Sequence, residues 1–181
     1  MWPAALHTAS HATSCADLDF GIPNFETFRK ACNFPWLCSN ATDRSSGVPL
    51  GGCGIKHMIT AANGVKVRRT QRTCTCKQLT RPLVPPQIGV MGLIEKDWLV
   101  SLGAVDPHEV KYTDFVQAGS RLASELRSDG AEFVVAITHM REHNDKRVAT
   151  DVKGVDLVLG GHDHFYKCVG QGGAGDGVHH A

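Results

Sequence analysis

The sequence predicts an α/β fold, and three observations carry that prediction. IGVMGLI (Ile88 to Ile94), EFVVAIT (Glu132 to Thr138) and VDLVLGG (Val155 to Gly161) are short apolar runs rich in branched side chains, the composition of strands covered on both faces. Tyr112 to Asp129 places Phe115, Val116, Gly119, Leu122, Ala123 and Leu126 on one face at i, i+3, i+4 spacing, the pattern of a helix laid on a sheet. Strands and helices alternate through residues 88–160, which implies a layer of strands with helices packed on it.

In chain order, residues 1–16 are small and polar without a period and read as a disordered segment or one foreign to the fold. IPNFETFRKAC, from Ile22, reads as a short helix with Phe25 and Phe28 apolar and Asn24 as its cap. FPWLCSN, Phe34 to Asn40, reads as a short buried strand ending in a turn. Residues 41–54 are loop by their content of Ser, Gly and Pro. HMITA and NGVKV read as two strands joined by a turn around Asn63-Gly64. Residues 68–87 are rich in Arg, hold no acid and no hydrophobic period, and end in prolines; they read as an irregular basic insert. EKDWLVSL, Glu95 to Leu102, is a short helix. Gly130 stops the long helix. NDKRVATDV starts another, with Asn144 as its cap. The glycine-rich tail, 169–181, reads as disordered.

The chain has 181 residues, enough for one domain with a core of its own. Hydrophobic residues make up 42% and charged residues 20%, the balance of an ordinary globular protein. With 19 basic and 18 acidic residues the net charge is +1, and no clustered basic face points to a nucleic-acid partner. No run approaches the roughly 18 apolar residues that span a membrane, so no membrane partner is expected either. The seven cysteines are odd in number and irregular in spacing, which reads as reduced thiols rather than a disulfide framework. The N-terminus lacks the basic region and apolar core of a secretory signal. These features together predict a cytoplasmic protein. The C-x-C of RTCTCK lacks the further thiolates or imidazoles of a zinc site.

Ten histidines are many for this length, and three share one topological position. His139 directly follows EFVVAIT, while His162 and His164 directly follow VDLVLGG. In an open α/β sheet, ligands gather beyond the carboxyl ends of the strands. Parallel neighbouring strands would bring all three imidazoles there. An extended H-x-H would point His162 and His164 the same way, and Gly160-Gly161 would allow the backbone to approach closely. Imidazole suits Zn, Mn, Fe and Ni. Asp145 and Asp163 are the nearby carboxylates able to orient such ligands from behind.

The pair ITHMREHND and VDLVLGGHDH resembles the calcineurin-like metallophosphoesterases, and within them the 5'-nucleotidase branch. That family carries T-H-[LM] after one strand and G-G-H-x-H after the next. IGVMGLIEKDWL resembles the strand and turn preceding this pair, and DFGIPNFETFRKACNFPWLCSN resembles the segment after the family's Gly-Asn-His-[Asp/Glu]. The resemblance covers most of 17–67 and 88–168, and so implies a partial phosphoesterase domain over 17–168.

The fold implied is a metallophosphoesterase-type β-sandwich flanked by helices, an incomplete αββα of four layers. The implied activity is metal-dependent hydrolysis of a small phosphoester such as a nucleotide, by water activated between two divalent ions (Mn, Zn, Fe or Mg). Carried over, His139 and His162 look like ligands of one metal and His164 like a ligand of the other. Asp145 resembles the aspartate following the first histidine. Ser14, Cys15 and Ala16 stand where the family has Gly-Asn-His, and the family's bridging aspartate has no counterpart. A chain with half the ligand set is expected to be impaired, or to be a non-catalytic, metal-binding module of the same family.

Overall fold

The structure is a computed structural model describing residues 18, 20–61, 86–169 and 178–179. Its centre is a four-stranded sheet of β2 (Lys56–Thr60), β3 (Gln87–Ile94), β5 (Phe133–His139) and β6 (Leu157–Leu159), in the order β2-β3-β5-β6. The pairs β3/β5 and β5/β6 are parallel, and β2 runs antiparallel to β3. Side chains along the central strands alternate faces, as strand geometry requires. Met91, Leu93, Val134 and Ala136 pack on one side, while Val90, Val135 and Ile137 pack on the other with Leu37.

The first side is covered by α3 (Phe115–Ser128), whose buried stripe is Phe115, Ala118, Gly119, Leu122, Ala123 and Leu126. The expected helix is present but begins later than Tyr112. Asp114 caps it, accepting from the backbone N–H groups of Val116 and Gln117, which satisfies donors that helical bonding leaves open. Tyr112 belongs instead to β4 (Val110–Tyr112), which pairs antiparallel with β1 (Ala41–Asp43). So the expected loop 41–54 contains a strand, and its partner lies some seventy residues away in register Ala41↔Tyr112. That pairing is tertiary and leaves no local mark.

In the same segment, Asp43 Oδ1 accepts from the hydroxyls and backbone N–H groups of Ser45 and Ser46. The Ser45 hydroxyl first, then that of Ser46, hold its carboxyl down at about 2. A carboxyl lowered on folding adds stability above its unfolded value near 4, and that stability is lost as pH falls toward about 2. The difference in melting temperature between the parent chain and Asp43→Asn should therefore shrink as pH drops through that window. A constant difference would contradict the turn's role.

Both asparagine caps are corrected. In α1 (Ile22–Ala31) the cap position is Gly21, with a proline in the first turn, and Asn24 Nδ2 donates to Phe20 O at 2.8 Å. In α4 (Glu142–Asp151) the cap position is Arg141, and Asn144 is turned inward to Glu95. The short helix after β3, α2 (Lys96–Ser101), is where the sequence puts it and buries Trp98 and Leu99.

FPWLCSN is buried from Trp36 to Asn40, but it makes only an isolated bridge, Leu37 to Gly54. It clips to β3 by other means. Ser39 N–H donates to Gly92 O at 2.8 Å, and Gly92 N–H donates to Ser39 Oγ at 2.9 Å. Asn40 Oδ1 accepts from Ile94 N–H at 3.0 Å while its Nδ2 donates to Ile94 O at 2.8 Å. Asparagine here imitates a neighbouring strand.

Three further differences concern strands. β6 is not buried on both faces: Leu157 and Leu159 are 41% and 38% exposed, because the strand is short and forms the sheet edge. Gln87 is not part of an insert but opens β3 opposite Thr60. Within the glycine-rich tail, β8 (Val178–His179) pairs with β7 (Tyr166–Lys167). NGVKV, residues 68–85 of the basic stretch, and residues 1–16 lie outside the described residues. Among the described residues, no helix is long and apolar enough to cross a membrane.

Candidate metal centre

The parallel neighbours β5 and β6 end side by side, with Ile137 opposite Leu159. The residues that follow each end are therefore delivered to one place. His139 is the last residue of β5, and His162 follows β6 after Gly160 and Gly161. Their rings meet: His162 Nδ1 stands 3.2 Å from His139 Nε2, with ring centroids 5.1 Å apart and planes at 64°. On its other side His139 packs against the buried Trp98, centroids 5.0 Å apart.

The H-x-H segment is not extended. His162 and His164 both have positive φ, 92° and 53°, a region that costs a residue with a Cβ roughly 1–3 kcal/mol and persists only where the surroundings impose it. The expectation that an extended H-x-H points His162 and His164 the same way by strand alternation does not hold. The structure joins His139 to His162 and leaves His164 exposed. Among the described residues, no group of three or more His, Cys, Asp or Glu side chains is shaped to hold a metal.

The carboxylates singled out beside the histidines both act on the frame. Thr138, buried at the end of β5, places Oγ1 2.6 Å from Asp145 Oδ1 and 3.2 Å from Leu159 O. One hydroxyl thus ties together β5, α4 and β6. Burial is the main cause that lifts the Asp145 carboxyl to about 6; the Thr138 hydroxyl opposes this, and the charges of Asp163, Glu95 and Glu142 add to it. Gly160 is required by space rather than by φ, since a Cβ there would come within 2.4 Å of Asp145 Oδ2. Asp163 Oδ2 accepts from the backbone N–H of Glu142 at 2.6 Å. It caps α4 from outside, at an end where Arg141 offers no side-chain cap, and so pins the H-x-H turn to that helix.

Sequence reasoning missed Glu95. It follows β3, is 2% exposed, and accepts from Asn144 Nδ2 at 2.6 Å and from Arg141 N–H at 3.3 Å. A buried carboxylate needs such partners, but its partners sit on another element, so EKDWLVSL alone reads only as a helix start.

The donor chemistry suits one divalent ion at the paired imidazoles. Metal–nitrogen bonds of about 2.0–2.1 Å at tetrahedral to right-angled spacing set ligands roughly 2.9–3.4 Å apart. The 3.2 Å between His139 Nε2 and His162 Nδ1 falls in that range. These two side chains would supply two donors of such a set.

Comparisons with known proteins bear on the same segments. No family model matches the chain. A 5'-nucleotidase of Diplobatis ommata is 32% identical over 90 residues, which are 50% of this chain and 15% of that protein. The chain thus matches a small share of the length of its curated relatives. Among solved structures, a calcineurin-like phosphoesterase of Bacillus subtilis superposes with TM-score 0.63 at 16% identity, over 85% of this chain and 45% of that one. The NAD nucleotidase of Haemophilus influenzae superposes with TM-score 0.61 at 15% identity, over 84% and 26%. The α/β architecture is that of part of a metallophosphoesterase domain. Over half of its length the chain is similar in sequence to 5'-nucleotidases, and its fold is the one seen in calcineurin-like phosphoesterases.

Proposed function

We propose that the chain belongs to a metal-dependent phosphoester hydrolase acting on nucleotides, 5'-nucleotidase-like in its reaction. The observation that carries this reading is the pair His139 and His162, held ring to ring beyond two adjacent parallel strands. The names of its relatives and structural neighbours support the substrate class. His139 and His162 would hold an ion, and His164 would reach the second one of the family pattern. A divalent ion bound there would make water a nucleophile near neutral pH and neutralise charge gathering on the phosphoryl oxygens. The protein's part is to hold the imidazoles still. Thr138 joins the two strand ends, Asp163 fixes the turn to α4, and Trp98 walls off one side of His139. A cytoplasmic location is part of the same proposal and rests on the odd number and irregular spacing of the seven cysteines in the sequence.

The test is hydrolysis of a nucleoside monophosphate by the chain with added Mn²⁺ or Zn²⁺, against His162→Ala. The variant should lose metal-dependent turnover and bind the ion at least about a hundredfold more weakly, beyond the loss typical of residues behind the ligands. Its melting temperature should hardly move. Equal turnover in both would reject the reading. A second reading, a metal-binding module without catalysis, is favoured by Ser14, Cys15 and Ala16 in place of Gly-Asn-His. Metal binding abolished by His162→Ala, with no hydrolysis by the parent chain, would select it.

A further inference from the structure

We propose that Glu95 is the positioning residue of the histidine pair. Its carboxylate sets the β5–α4 turn and thereby the orientation of the His139 ring. The metal-affinity part of this inference rests on the reading above; the orientation of His139 does not.

Glu95 grips that turn at successive points. Its own backbone N–H donates to His139 O at 3.4 Å. Its Oε2 accepts from Arg141 N–H at 3.3 Å and Asn144 Nδ2 at 2.6 Å. Its Oε1 faces Arg141 Nε at 3.5 Å. The chain from His139 to Asn144 is therefore folded around one carboxylate. Met140, at 0% exposure, anchors the same turn in the core cluster that holds Phe115 and Val148. Three residues after Glu95, Trp98 lies against the imidazole itself. The same short segment thus fixes both the backbone that carries His139 and the surface its ring rests on.

A buried carboxylate is costly unless well partnered. Here its partners are the backbone and side chains of one loop, so removing it releases that loop rather than a distant contact. The Nε2 of His139 faces Nδ1 of His162 only while the ring is held. Between two neutral imidazoles one nitrogen must donate and the other accept. Fixed geometry selects one tautomer, and a released ring samples both.

The experiment is nitrogen-15 NMR of the imidazoles in the 181-residue chain without metal, followed by Zn²⁺ titration by calorimetry. In the parent chain His139 should show the shifts of a single tautomer. Glu95→Ala should move them to the averaged values of an exposed imidazole and weaken Zn²⁺ binding by about 10–100-fold. Glu95→Gln, which keeps an acceptor for Asn144, should retain the single tautomer. Asn144→Ala, at a half-buried position, removes one contact to the carboxylate, besides an exposed one from Arg147, and should shift His139 partway. If Glu95→Ala does not fold, Asn144→Ala decides, and Glu95→Gln serves as the control that keeps the contact. Unchanged His139 shifts in Glu95→Ala, or in Asn144→Ala where Glu95→Ala does not fold, would overturn the proposal, and unchanged shifts with intact Zn²⁺ binding would leave the metal reading standing without it. A parent chain that binds no Zn²⁺, but loses its His139 tautomer in Glu95→Ala, would remove the metal reading and uphold the positioning role.

Discussion

Leu122→Ala should destabilise the chain by about 3–5 kcal/mol, the cost of deleting a leucine side chain from a site that cannot collapse. Leu122 is 0% exposed, in the middle of the stripe by which α3 meets the sheet. It shares one buried cluster with Met91, Leu93, Val134 and Ala136, which lie on two different strands of a hydrogen-bonded sheet and are not free to move in and fill the space. Urea denaturation of the two proteins measures the difference directly. A loss under about 1 kcal/mol would mean that this face is not the core.

Gly92→Ala should cost about 3 kcal/mol, toward the upper end of what overpacking a tight site brings. An added Cβ would stand 2.6 Å from Leu37 O and 3.0 Å from Leu37 C. Neither backbone can retreat freely. Gly92 is in the middle of β3, and both its N–H and its carbonyl are bonded to Ser39, two residues beyond Leu37. Withdrawal would surrender those bonds, each worth roughly 1 kcal/mol. Gly103→Ala is the control: nothing lies within 4 Å of a Cβ there, so it should change stability by less than about 0.5 kcal/mol. If the two substitutions proved equal, residues 36–40 would not be seated on the sheet. Both core changes should lower melting temperature, whereas His162→Ala should leave it and remove the metal chemistry. That contrast separates frame from site.

Much of the frame was legible because it follows from local periods. The unbroken apolar run of Val134, Val135, Ala136 and Ile137, and the helical stripe through Leu122 and Leu126, are each written within a single element. The helix starts were misread at Asn24 and Asn144. An asparagine near a helix start is a good cap by type, but its side chain bonds to whatever the packed structure offers, here Phe20 O and Glu95. The β1–β4 pair escaped notice because its strands are three residues each and far apart in sequence.

Of the site, the sequence by itself determined that His139 and His162 would follow two strands. Each histidine directly succeeds an apolar run or its glycines, and that order is a one-dimensional property. Only the tertiary structure decided that those strands are parallel neighbours, that the H-x-H turn takes positive φ and leaves His164 exposed, and that Asp163 caps a helix while Glu95 grips a turn. These depend on which backbone groups are left unsatisfied when separate elements meet, and on what a carboxylate out of water must find to bond to. Such quantities exist only once the chain has packed.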